Sequence, residues 1–144
     1  MQWVYNDGGR KEAGYKGAAR DCVTRAICII TKKSYQEVYE ALVEEAMRER
    51  PRNGKKRSHS RTGVQKPTIR RYLESLGFEW VPTMKIGSGC KVHLNKDELP
   101  SGELIVSVSR HLVAVVDGIV YDTHDPTRGG NRCVYGYFRK TERK

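Results

Sequence analysis

The chain has 144 residues, a net charge of +10 and 38% hydrophobic residues, so a single domain could bury a hydrophobic core without metal or disulfide support. Its first residues, "MQWVYNDGG", lack the basic segment followed by an apolar stretch that is typical of a signal peptide, and no apolar run approaches the roughly 20 residues of a membrane-spanning helix. We therefore expect one soluble, cytoplasmic domain over residues 1–144 with no membrane partner.

The first helix is predicted to begin after Asp21, which is a plausible N-cap residue. From there the apolar residues Cys22, Ala26, Ile29 and Ile30 recur at the spacing of one helix face. This prediction places Cys22 at the N-terminal end of a helix, where it could be either a packing residue or a reactive thiol.

Two further helices are predicted before residue 78. In the second, over residues 34–50, Ser34 and Glu37 have the spacing of a capping box. The third begins near Pro67 and ends at Gly77, which matches the preference for proline in the first turn and glycine just after the last. The first half of the chain is therefore expected to be helical.

A strongly basic segment separates the second and third helices. Residues 48–61 contain seven Lys or Arg residues and one Glu, so they contribute +6 of the net charge. We interpret a basic loop at about 48–62 as a solvated segment, or as a surface for nucleic acid or another acidic partner. In the second interpretation, phosphates would be neutralised by Lys55, Lys56, Arg57 and Arg61.

After Gly77 the pattern changes to short segments rich in Val, Ile and aromatic residues. They read "FEWVPT", "ELIVSVS", "HLVAVV", "IVYDT" and "RCVYGYF", and turn residues separate them, as is typical of antiparallel strands. Helices followed by such strands predict the α+β class, with N-terminal helices packed on a C-terminal antiparallel β-sheet.

The four cysteines show no spacing typical of a disulfide framework, and we expect all of them to be reduced thiols. They are Cys22, Cys28, Cys90 and Cys133. Cys90 and His93 have the spacing of a zinc-ligand pair, and Cys133 could join them. Because no second closely spaced pair accompanies them, we predict no metal site and no other cofactor.

A hairpin in the second half carries the most informative polar residues. A type I′ turn at residues 117–118, with the sequence Asp-Gly, fixes the register of the two flanking strands. In that register His111, Val113, Asp122 and His124 lie on one face of the hairpin. The Asp122 carboxylate is then close enough to contact the His111 imidazole.

These residues have the chemistry of a nucleophilic site. A carboxylate bonded to one imidazole nitrogen leaves the other nitrogen free to act as a base. At a helix N-terminus the Cys22 thiolate is favoured by the helix dipole, and the Cys22 backbone N–H could bind an oxyanion.

An early Cys at the start of a helix, followed by a late His and Asp on neighbouring strands, resembles the papain-like cysteine peptidases. The "DC" at Asp21-Cys22 is similar to that of the leader peptidases of bacteriocin exporters, and "HLVAVV" followed by Asp125-Pro126 is similar to their "HFVVV…DP". The "HDPT" at 124–127 also resembles the ending found in transglutaminase-like enzymes.

The resemblance implies a papain-like fold with Cys22 as nucleophile and His111 as base. Its Asp-Pro pattern points to Asp125 as the third member, whereas the hairpin register points to Asp122. The implied reaction is hydrolysis of a peptide or protein substrate through an acyl-enzyme, or acyl transfer as in transglutaminases. A basic nucleic-acid-binding module is the alternative from another class.

The chain departs from the papain-like pattern in its oxyanion site. Papain-like enzymes carry a Gln about six residues before the Cys, and this chain has Lys16 there. Lys16, Arg20 or a backbone amide could take that role beside the Cys22 backbone.

Overall fold

The computed structural model describes residues 1–15, 20–49, 57–61, 63–85 and 87–141. In this part of the chain the helices are α1 (Cys22–Thr31), α2 (Tyr35–Ala46) and α3 (Lys66–Ser75). The strands are β1 (Gln2–Tyr5), β2 (Phe78–Pro82), β3 (Glu103–Val108), β4 (His111–Val116), β5 (Ile119–Asp122) and β6 (Val134–Lys140). Helices thus precede five of the six strands, which confirms the α+β class.

The strands form one sheet in the order β1-β5-β4-β3-β6-β2. Strands β2 to β6 pair antiparallel, as expected for the C-terminal half, but the sheet as a whole is mixed, because the N-terminal strand β1 pairs with β5 in parallel. The four residues of β1 were not predicted as a strand. Their side chains are exposed, so the segment lacks the alternation that identifies a half-buried strand.

Each face of the sheet carries its own hydrophobic cluster. The three helices cover one face and pack there on Ile105, Leu112 and Ala114. The other face, which includes Val113 and Val115, is covered by Leu94 and Leu99, and none of the three described α-helices contributes to its cluster. Because side chains alternate along a strand, neighbouring residues of β4 belong to different clusters.

The helix ends show which local signals were informative. Ser34 caps α2 by accepting a hydrogen bond from the Glu37 backbone N–H at 3.1 Å, as predicted. Pro67 lies in the first turn of α3, and Gly77 follows that helix with a φ of 87° that favours glycine. Asp21 stands at the N-cap position of α1 but makes no side-chain capping bond.

The expectation that all four cysteines are free thiols is also wrong. Cys90 and Cys133 form a disulfide that closes a 43-residue separation in sequence, whereas Cys22 and Cys28 are free. An antiparallel bridge between His93 and Cys133 lies beside it. This bridge brings Cys133 close to the segment that carries Cys90. The pairing was not predicted because the spacing of the two cysteines in the sequence gives no sign of that contact.

Candidate active site

Cys22 is the first residue of α1 and is half-buried beside the hydrophobic cluster that the three helices form with the sheet. The partial positive charge of a helix N-terminus stabilises a thiolate at this position. Cys28 lies on the same helix but is 4% exposed, and burial raises the pKa of its thiol to about 12. Only one of the two free thiols is thus placed for chemistry.

The β4–β5 hairpin has the predicted turn and register. Asp117 and Gly118 have φ values of 47° and 79°, as a type I′ turn requires, and Val116 pairs with Ile119. The hairpin brings His111 Nε2 to 2.5 Å from Asp122 Oδ2, with the two side chains 10% and 4% exposed. The predicted imidazole–carboxylate contact is therefore present.

The prediction that Val113 shares one hairpin face with His111 and Asp122 is wrong. Val113 is buried in the cluster on the sheet face away from the helices, whereas His111 and Asp122 interact with side chains of α1. His111 begins β4 and Asp122 ends β5, so both lie at the end of the sheet, where alternation no longer dictates what a side chain contacts. His124 is 56% exposed, and its ring centroid lies 5.1 Å from that of His111.

Cys22 and His111 lie close enough for each to shift the pKa of the other. Burial acts to raise the pKa of Cys22, but the hydrogen bond and positive charge of His111 outweigh it and lower that pKa. Burial acts to lower the pKa of His111, yet the hydrogen bonds and negative charges of Asp122 and Cys22 raise it to about 9. Near neutral pH these shifts favour a thiolate beside an imidazolium.

The contacts also assign roles to the two ring nitrogens of His111. Nε2 contacts Asp122, so Nδ1 is the nitrogen available to the Cys22 thiol. Burial acts to raise the pKa of Asp122, but its hydrogen bond to His111 lowers it. Asp122 is therefore an ionised partner that orients the ring and stabilises its protonated form.

Arg25 connects Asp122 to the start of α1. One end of its guanidinium contacts Asp21 Oδ1 at 2.6 Å, and the other lies 3.5 Å from Asp122 Oδ1. Asp21 is 1% exposed and also accepts a hydrogen bond from the Tyr35 hydroxyl at 2.6 Å. The i,i+4 spacing of Asp21 and Arg25 is the signal in the sequence that could have indicated this contact.

Strand β1 fixes the backbone of Asp122. The Trp3 indole N–H and the Asn6 backbone N–H both donate to the Asp122 carbonyl, at 3.1 and 3.0 Å. The N-terminal segment thus supports the site although none of its side chains reaches Cys22 or His111 in the contacts described. Sequence reasoning missed this role together with the strand itself.

The other predicted site residues lie elsewhere. The Asp125 carboxylate accepts hydrogen bonds from the Thr127 backbone and hydroxyl at 3.0 and 2.7 Å, so it closes a turn and Asp122 is the carboxylate that contacts His111. Arg20 is exposed, and its backbone N–H bonds to the Arg61 carbonyl at 2.7 Å. Arg57 is exposed. The other predicted residues lie outside the described part of the chain: Lys16, Lys55 and Lys56.

Two groups of side chains are relevant to the prediction that the protein binds no metal. Within the described residues, ligand atoms of His111, Asp122 and His124 lie within 4.8 Å of one another and could hold an ion. In the C-x2-H group, Cys90 is part of the disulfide, and His93 Nδ1 lies 3.1 Å from Glu98 Oε1. That second group is therefore already committed to contacts within the protein.

No helix in the described part of the chain is long and apolar enough to cross a membrane. No family model matches the chain, and no curated protein or solved structure shows a significant similarity to it.

Proposed function

We propose that this protein is a papain-like cysteine hydrolase that cleaves an amide, isopeptide or thioester bond in a peptide or protein substrate. The observation that carries the proposal is the arrangement around His111, whose Nε2 contacts Asp122 and whose ring lies close enough to the Cys22 thiol to lower its pKa. A packing role alone gives no reason for a buried imidazole to separate a thiol from a carboxylate.

In this mechanism the Cys22 thiolate attacks the carbonyl carbon and the developing oxyanion is held by the Cys22 backbone N–H. The His111 imidazolium donates its proton to the leaving amine or thiol as the scissile bond breaks, which leaves a thioester on Cys22. Neutral His111 then takes a proton from water, the resulting hydroxide attacks the thioester carbonyl, and the thiolate is released with the carboxylic acid.

The test is the rate of iodoacetamide alkylation against pH, with each modified cysteine identified by mass spectrometry. We expect Cys22 to react at pH 6.5 at least about tenfold faster in the wild type than in His111→Ala, because one pKa unit changes the thiolate fraction about tenfold. Cys28 is an internal control that should stay unmodified. Equal Cys22 rates in both proteins would refute the proposal.

Acyl transfer of the transglutaminase type shares the first half of this mechanism. An amine in place of water would attack the Cys22 thioester and form a new amide. Adding a primary amine to a turnover assay distinguishes the two outcomes, since a hydrolase releases the acid and a transferase releases the amide.

A further inference from the structure

An apolar pocket of about 380 Å³ lies between the first turns of α3 and the helix-side face of the sheet. Its walls are mostly hydrophobic and aromatic side chains, with two basic residues, Lys66 and Arg70, among them. They include Lys66, Pro67, Ile69, Trp80, Leu112 and Phe138. A concave apolar site of this size is within the range of small-ligand pockets in proteins.

The aromatic wall of this apolar pocket depends on a glycine. A Cβ atom on Gly136 would overlap the Trp80 ring, so only glycine leaves room for this indole against β6. The Trp80 and Phe138 ring centroids are then 4.8 Å apart. Lys66 Nζ lies 5.8 Å from the Tyr135 ring centroid, beside the same pocket.

The apolar pocket is next to the candidate nucleophile. Leu112 lines it and directly follows His111 in β4. The Leu112 backbone N–H also lowers the pKa of the Cys22 thiol, and Cys22 packs against the hydrophobic cluster to which the pocket residues Ile69, Leu112 and Phe138 belong. The pocket therefore lies next to the site, so a chain bound at Cys22 has it within reach of a neighbouring side chain.

We infer that the apolar pocket binds a large apolar side chain, of the size of leucine or phenylalanine, from a peptide whose carbonyl carbon reacts with Cys22. The inference rests on the proposed function and adds the substrate class to it. A small side chain would leave the walls of Trp80 and Phe138 uncovered and would gain little from binding there.

The first test uses peptidyl chloromethyl ketones, in which the thiolate displaces chloride and forms a thioether. One series varies the residue that bears the ketone and a second varies the residue before it, with Leu, Phe, Ala or Glu at that position. We expect Leu and Phe to react at least about tenfold faster than Ala in one series, as an apolar pocket discriminates between side chains of different size. Equal rates in both series would overturn the inference.

Ser107 provides a matched pair of variants, because it lines the apolar pocket and lies in β3 outside the catalytic group. Ser107→Leu should fill the pocket and abolish the preference for Leu and Phe, whereas Ser107→Ala should keep it. Both variants should retain the wild-type iodoacetamide rate. A preference that survives in a folded Ser107→Leu protein would contradict the assignment, and the wild-type series decides the question if that variant does not fold.

A second measurement does not depend on a reactive thiol. In the Cys22→Ser protein, N-acetyl-leucinamide should shift the NMR signal of the Trp80 indole N–H in a saturable way, and N-acetyl-alaninamide should not. If iodoacetamide shows Cys22 to be unreactive but this titration saturates, the hydrolase proposal fails and the pocket stands. If Cys22 is reactive but neither ligand nor probe shows a preference, the hydrolase proposal stands and the pocket assignment fails.

Discussion

At the scale of single residues, the contacts of two carboxylates show which aspartate is the partner of His111. Asp122 and Asp125 are three residues apart, and the sequence supports each by a different argument. In the structure the Asp122 carboxylate contacts His111, and the Asp125 carboxylate accepts hydrogen bonds from Thr127. The hairpin register was therefore a better guide to the contact than the Asp-Pro pattern, because register fixes distance.

Asp122→Asn should lower the iodoacetamide rate of Cys22 at pH 6.5 by about tenfold or more, because a neutral amide no longer holds His111 protonated and the thiolate loses its counter-ion. Asp125→Asn is the matched control and should leave the rate unchanged. Alkylation followed by peptide mass spectrometry measures both. The reverse ranking would identify Asp125 as the working carboxylate.

The raised pKa of His111 predicts how stability changes with pH. The folded-state pKa of about 9 lies above the ordinary value of 6.5, so the stabilising contribution of His111 is fully present below about pH 6.5 and is lost as pH rises through about 9. The difference in unfolding free energy between wild type and His111→Gln should shrink between pH 6 and pH 9.5. Urea unfolding at each pH measures this, and a constant difference would contradict the shift.

At the scale of elements, most helices and strands followed from local patterns. The periodic apolar residues predicted the helices, Ser34 marked the start of α2, and Asp117-Gly118 predicted the turn between β4 and β5. Asp21 shows where the capping rule fails, because its carboxylate contacts Arg25 and the Tyr35 hydroxyl and does not cap α1. A capping residue and a buried ion-pair residue look the same in a sequence.

Arg25→Met should lower the unfolding free energy by about 1.5–3 kcal/mol, because the 1%-exposed Asp21 loses a charged hydrogen-bond donor. Arg70→Met is the matched control, since Arg70 and Glu74 form an exposed ion pair of the same i,i+4 spacing and such pairs contribute about 1 kcal/mol or less. Chemical denaturation compares them. Equal losses would show that the Asp21–Arg25 pair adds nothing beyond a surface pair.

At the scale of the whole molecule, the disulfide links the segment that covers the far face of the sheet to the start of β6. Replacing Cys90 and Cys133 together by serine should lower the unfolding free energy by about 2–4 kcal/mol, because the unfolded chain regains the freedom of the 43-residue loop. Thermal and urea unfolding of the double variant against the oxidised wild type measure the loss.

Alkylation of the denatured, unreduced protein checks the bond itself. Two modified cysteines, Cys22 and Cys28, are expected with the disulfide intact. Four modified cysteines would contradict the pairing.

The sequence by itself determined the α+β class, the main helices and strands, and the hairpin that joins His111 to Asp122, because these depend on contacts between residues close in the chain. Only the tertiary structure decided the parallel pairing of β1, the Cys90–Cys133 disulfide, the Arg25 contact with Asp122, and the apolar pocket beside Leu112. Each of these last features depends on chain segments or side chains that meet only in the folded protein, and local periodicity carries no information about such meetings.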